Sequence, residues 1–278
     1  MAARAARGCR ALALGLAVLA CSCAARAPRS GDEETAGLPL SAPSTERILS
    51  ELRARESALA DFRGQARLVY EGPQGSAKSS QMIVVESPDR VRIDVMSPFG
   101  PTYTVAAYGD RLRAYDRGEK ILYVGSATPA NLRRYTRVPL EVEVLALLIR
   151  GLPPLTSRVA RGRVEAQGPV WVWAADVEDG GQLRVEFDRR NLRPLRASLT
   201  GASPGESLFV EFEQYQDVDG VEVPHRIRAR LADGGVVELE YSRIWRAVQL
   251  TATAFQIDPP SGVRVLGMDP EGTNGGAF

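Results

Sequence analysis

Residues 90–105 read RVRIDVMSPFGPTYTV and form the clearest strand–turn–strand unit of the chain. Val91, Ile93 and Val95 alternate with Arg90, Arg92 and Asp94, a period that turns one side of the strand to an apolar interior and the other to water. The interruption, Ser97-Pro98-Phe99-Gly100-Pro101, joins two prolines that cannot donate in a ladder to a glycine free to take positive φ. It lifts one aromatic, Phe99, to the tip, where no core is in reach. Tyr103, Val105 and Ala107 then resume the alternation.

The same grammar fills most of the chain. Ala66, Leu68 and Tyr70, then Met82 with Val84 and Ile83 with Val85, then the hairpin, then Leu112 with Ala114 and Ile121 with Tyr123 mark strands before residue 127. The breaks between them, GPQGS, PDR, YGD and RGEK, are short and rich in turn formers, so neighbours pair antiparallel. Further alternating runs follow at 159–165, 170–177, 183–187, 195–199, 208–212, 221–231 and 237–241, with hairpin signals at Asp219-Gly220 and Asp233-Gly234-Gly235. Three helical stretches interrupt this pattern. Ser44 and Glu46 start an amphipathic helix over 44–60, Thr128-Pro129 opens a short one, and Pro139 opens a third over 140–150 that is apolar on most sides and ends before Gly151.

A mainly β (α+β) fold follows: an antiparallel sheet of about eleven strands, too broad to stay flat, curled into a half-barrel with two or three helices closing its concave face. Two physical outcomes stay open. If the helices fill the concavity the interior is solid. If they only lid it, an apolar cavity remains, and each methylene moved from water into it is worth roughly 0.8 kcal/mol.

The N-terminus carries Arg4, Arg7 and Arg10 without an acid, then an apolar run over 11–20. This is the layout of a secretory signal peptide, and the run is well short of the roughly twenty residues a bilayer-spanning helix needs. It ends Val18-Leu19-Ala20-Cys21, which resembles the bacterial lipobox, whose cysteine becomes the acylated first residue of the mature protein. Cys23 fits less well, because Ala20 would then hold the aliphatic position. No cysteine occurs after Cys23, so a disulfide in the folded part is excluded while an acylation site has a use for the thiol. Residues 21–43 read as acylated cysteine and flexible tether, spanning roughly 25 Å on average. Residues 267–278, closing in GTNGGAF, read as a disordered tail.

Charge narrows the function further. The 278 residues carry 35 Lys and Arg against 34 Asp and Glu, a formal +1, and removal of residues 1–20 takes this to −2. A broad basic surface for nucleic acid is thereby excluded. One histidine, His225, and no cysteine in the folded part leave almost no material for a zinc site or a Cys–His nucleophile, and no phosphate loop, nucleophile elbow or paired carboxylates stand out. The expectation is a protein that is not an enzyme and needs no cofactor or metal.

Several of these features together resemble one family. The lipobox, the helix, Phe62-Arg63-Gly64 opening the first strand, Arg90-Ile93-Asp94 leading to Ser97-Pro98-Phe99-Gly100, the helix before Leu147-Leu148-Ile149-Arg150-Gly151, and Gly220-Val221 to Pro224 look like the LolA/LolB superfamily of lipoprotein carriers. The likeness covers residues 44–266 and is greatest to the LolB-like outer-membrane lipoproteins. It implies an acylated, periplasm-facing monomer that receives the acyl chains of lipoproteins from a LolA-like carrier and helps insert them into the outer membrane. Ser22 after the acylated cysteine implies outer-membrane residence. In LolB proteins a loop between the third and fourth strands carries an exposed apolar residue, and by position Pro98 and Phe99 are its match, with phenylalanine in place of the more usual leucine.

Each candidate has a plainer alternative. Phe99 either projects as an insertion residue or folds back on its own hairpin. Val91, Ile93, Val95, Leu145, Leu148, Val185 and Phe187 either line a cavity or form ordinary core. Trp171 and Trp173, on one face of a strand whose other face carries Val170 and Val172, read as core. Asp217-Val218-Asp219-Gly220 lacks the later ligands of a calcium loop and reads as a turn. Arg133, Arg134 and Arg137 are a solvated helix face or a surface for phosphate headgroups. The rival to a carrier is an envelope scaffold with a filled core and no lipid cargo.

Overall fold

Alternation of period two over most of the chain yields strands, and the hairpin breaks order them as a meander. The computed structural model describes residues 41–73, 75–86, 88–155, 159–178, 180–201 and 207–269. The expected signal peptide, Cys21, nearly all of the tether and residues 270–278 lie outside them. Among the described residues, fourteen strands form one open, half-barrel-like sheet.

Two meanders build it. The first is β1 (Asp61–Gly72), β2 (Gly75–Glu86), β3 (Arg90–Ser97), β4 (Gly100–Tyr108), β5 (Arg111–Asp116) and β6 (Ile121–Ser126). The second is β7 (Val159–Gln167), β8 (Val170–Val177), β9 (Gln182–Asp188), β10 (Pro194–Thr200), β11 (Ser207–Val218), β12 (Val221–Leu231) and β13 (Val236–Arg246). They join where β1 pairs antiparallel with β13, with Leu68 opposite Leu239. A last strand, β14 (Arg264–Gly267), adds parallel to β6. The expected count of about eleven is therefore corrected to fourteen. All seven alternating runs after residue 158 form strands, and β14 is a short, fully exposed strand whose four residues carry no alternation to read. Order also continues past the expected boundary at 266, since Gly267 pairs with Val124 and Met268 is buried.

Three helices lie on the described chain: α1 (Thr45–Ala58), α2 (Pro129–Thr136) and α3 (Val142–Ile149). Ser44 caps α1, accepting a hydrogen bond from Arg47 N at 3.2 Å, and α1 buries Ile48 and Leu52 against the sheet. Thr128 caps α2 in the same way, with Pro129 at its first turn. The third helix begins two residues later than expected, at Val142 rather than 140, and has no side-chain cap. It forms because six large apolar side chains, Val142, Val144, Leu145, Leu147, Leu148 and Ile149, are buried, worth on the order of 10 kcal/mol together. Its end is fixed by Gly151 at φ +74°.

The chain path explains why these helices are where they are. It leaves β6 near one edge of the sheet and must reach β7 at the other, so the connection crosses the concave face and deposits α2 and α3 there. From β13 the chain crosses back over the outer face, where Ile257 and Val263 pack on Ala106, Tyr115 and Leu122 before β14. The outer strap was not anticipated from sequence.

Candidate functional site

Alternate residues of neighbouring strands share a face, so the register fixes what looks inward. On the concave face Gln81 lies opposite Val95, and Val95 opposite Tyr103. Ile83 lies opposite Ile93, and Ile93 opposite Val105. Across the β1–β13 junction, Leu68, Leu239 and Ile227 continue the same surface. With Leu145, Leu148 and Ile149 of α3 above them, these residues enclose a cavity of about 220 Å³. Tyr135, Thr136, Arg137, Val138 and Leu140, where α2 turns into α3, border it at the end of the sheet that carries the β1–β2 and β3–β4 turns.

That border is tightly made. Tyr123 and Tyr135 meet at 5.3 Å between ring centroids, their planes tilted by 42°. Burial first, then the neighbouring Tyr135, Asp116 and Tyr123, hold the Tyr103 hydroxyl well above the ordinary phenol range, so it is neutral at any physiological pH. Arg133 pairs with Asp233 at 3.1 Å, Arg134 reaches Met268 O at 3.5 Å, and the Arg137 guanidinium lies 5.6 Å from the centre of the Tyr70 ring. All three arginines are exposed, so they form a solvated helix face that also makes these contacts.

The far end is closed. The Tyr241 hydroxyl donates to Ile149 O at 2.7 Å, and the Tyr241 ring meets Phe62 edge-on at 5.6 Å. Gly64 sits against that ring, where a Cβ would lie 2.4 Å from Tyr241 Cε1, so the first-strand glycine is required by close approach. Arg150, fully buried after α3, donates from Nε to Ala146 O at 2.9 Å and places Nη2 3.7 Å from Glu56 of α1. Burial lowers its pKa while Glu56 opposes the shift, so the guanidinium stays charged and links the two helices.

The β3–β4 hairpin leaves the sheet at the border end. Ser97 Oγ accepts from Phe99 N at 3.2 Å and donates to Gly100 O at 2.9 Å, while Gly100 takes φ +107°. Phe99 is 95% exposed and does not fold back on its hairpin; Pro98 beside it is exposed too. The tip lies four residues beyond the cavity-lining Val95, roughly 13 Å at strand rise. The N-terminus of α1 is at this same end, since Thr45 Oγ1 donates to Gly162 O at 2.9 Å near the start of β7, whereas Arg55 reaches Glu222 O at the opposite end.

Of the seven residues expected at the cavity, Ile93, Val95, Leu145 and Leu148 line it. Val91, Val185 and Phe187 do not; they are corrected to core. Val91 pairs with Val85 at the closed end, and Val185 and Phe187 on β9 face Trp173 and Trp171 on β8, where large side chains fill the space. Both tryptophans are buried core, as expected. His225 is buried with Nδ1 3.2 Å from Val223 O, and Asp219-Gly220 turns β11 into β12. Among the described residues no three His, Cys, Asp or Glu side chains converge, and no helix is long and apolar enough to cross a membrane. Sequence reasoning missed Gln81, Tyr103, Tyr135 and the β12–β13 wall. Gln81 and Tyr103 were recoverable from the registers that set each opposite Val95; the others depend on contacts across the junction of the two meanders or the α2–α3 crossing.

No family model and no curated protein matches the sequence. Solved structures do match. A LolA superfamily protein from Nitrosomonas europaea superposes with a TM-score of 0.54 at 13% identity, over 77% of this chain and 98% of that one. A domain assigned to outer-membrane lipoprotein sorting from Vibrio parahaemolyticus gives 0.52 at 16%, over 76% and 95%. A DUF1329 family protein from Desulfovibrio piger gives 0.58 at 12%, over 77% and 97%. At 12–16% identity the likeness is one of fold: this chain shares the fold of these three proteins, one of them a LolA superfamily member.

Proposed function

We propose that this protein is a non-enzymatic lipid carrier of the bacterial outer membrane. Residues 1–20 direct export, Cys21 is acylated, and residues 21–43 tether a domain that accepts acyl chains and helps insert lipoproteins into the bilayer. One observation carries the proposal: an apolar cavity of about 220 Å³ opens at the sheet end from which Phe99 projects, 95% exposed. An apolar cavity of about 150 Å³ already holds a benzene ring, so this one admits a stretch of alkyl chain. Each methylene taken up gains roughly 0.8 kcal/mol over water.

The geometry suggests how transfer runs without nucleotide. An acyl chain enters between the α2–α3 turn and the β3–β4 hairpin, and the tether leaves α1 at that same end, so a membrane-anchored domain presents Phe99 to the lipid surface. A buried aromatic tip in the interface lowers the barrier for the chain to leave the cavity for the bilayer. Two neighbouring folds are LolA superfamily or lipoprotein-sorting proteins, which supports lipid or lipoprotein as partner, with a LolA-like periplasmic protein as the donor.

The test is liposome transfer by the Phe99→Glu variant. Cargo is expected to stay on the protein while the fold is unchanged, because Phe99 packs on nothing. Undiminished delivery would remove Phe99 from the mechanism. Mass spectrometry of organic extracts from purified, unacylated protein separates the carrier from an envelope scaffold, since a scaffold yields no co-purifying lipid.

A further inference from the structure

Most of the cavity wall is apolar; its polar groups are Ser79 and Gln81 on β2, the hydroxyls of Tyr70, Tyr103 and Tyr135, and Thr136 and Arg137 at the border. Ala77, Ser79, Gln81 and Ile83 face the concave side in turn, and all four line the cavity. Gln81 is 6% exposed. Its Nε2 donates to Ser79 Oγ at 3.2 Å, while its Oε1 is buried without a hydrogen-bond partner. Its cross-strand neighbours are Ala66 on β1 and Val95 on β3, and the next inward-facing pair is Ile83 with Ile93. None of these side chains can bond to an amide. Turning the carboxamide over exchanges its ends and leaves the NH₂ group facing the same apolar surroundings, so one end stays unmet in either orientation.

An unmet buried amide is costly, and a wholly apolar cargo would leave the cost in place. The position also has a simple apolar solution: leucine or methionine would complete the greasy wall that Leu68, Ile83, Ile93 and Val95 begin. We infer that the cavity selects acyl chains carrying a hydroxyl group within the buried length, the hydroxyl bonding to the Gln81 carboxamide. A hydroxyl both donates and accepts, so it satisfies either amide orientation. Because a site built around a hydrogen bond rejects the analogue lacking it more strongly than a greasy pocket rejects an extra group, Gln81 is the specificity-determining residue. The inference rests on the carrier reading above and adds the class of chain.

The experiment uses the full chain carrying Cys21→Ser, so that no attached lipid competes. Tetradecanoic acid and its hydroxylated positional isomers are titrated against a bound polarity-sensitive fluorophore. At least one hydroxylated isomer is expected to bind about fivefold tighter than the plain acid. In Gln81→Leu that ratio falls to about one, and the plain acid binds more tightly than it does to the native protein. Should Gln81→Leu fail to fold, Gln81→Met serves, and the ratio measured on the native protein decides the matter by itself. Equal binding of every isomer to the native protein overturns the inference and leaves the carrier intact; the amide is then met by water. Hydroxyl preference that survives in the folded leucine or methionine variant also overturns it. If no acid of either kind displaces the fluorophore, the carrier reading fails and the inference falls with it.

Discussion

At the scale of single residues, the positions that matter most are those where a local rule is broken and something else compensates. Gly151 ends α3 at φ +74°, and a Cβ there would lie 2.2 Å from Pro224 Cγ. Both the backbone conformation and the contact demand glycine, so Gly151→Ala is expected to lose about 2 kcal/mol or more in urea unfolding. Arg150 next to it is a buried charge whose partner, Glu56, sits on another helix; it couples α1 to α3 more than it stabilises either. Phe99 is the reverse case, an apolar side chain with nothing to pack on, so its substitution is expected to alter transfer and leave stability alone.

Among the elements, the helices and the outer strap are held by different forces. α3 is held by burial, since a helix of eight residues without a side-chain cap has little stability of its own. The end of the strap is held by one carboxylate. Asp269 accepts from Asn131 Nδ2 at 2.7 Å and from Ser126 N and Oγ, both at 2.9 Å. Burial raises the Asp269 pKa, but these hydrogen bonds outweigh it and hold the carboxyl below its ordinary value. A group lowered in the folded state stabilises fully above its unfolded pKa, about 3.9 for aspartate, and that contribution is lost as pH falls through the folded value. Amide exchange at 265–269 is therefore expected to rise relative to the sheet as pH is lowered below about 4, after correction for intrinsic rates. In Asp269→Asn this acid-induced step should disappear.

For the whole molecule, the two meanders differ in how they are filled. The second is solid around Trp171, Trp173, Val185 and Phe187 on β8 and β9, whereas the first, together with β12 and β13, borders a cavity. Phe187→Ala is expected to cost about 3–5 kcal/mol by leaving a hole in dense packing. Val95→Ala, which only widens an existing space, should cost about 1 kcal/mol, so urea midpoints separate them clearly. The alternation around residues 90–105 made the hairpin, its exposed tip and most of the strands legible, because strand periodicity and turn chemistry are local properties. Pro129 and the apolar run over 140–150 likewise announced two helices. The sequence alone therefore determined the kinds of elements, their antiparallel order within each meander, and the presence of an unpartnered aromatic at a turn. Only the tertiary structure decided that β1 pairs with β13, that residues 127–155 cross the concave face, that Ile93 and Val95 border open space while Val185 and Phe187 do not, and that Gln81 is left with an unmet amide. Those outcomes depend on contacts between residues far apart in the chain, where volume and register are set by all the neighbours at once and no local pattern records them.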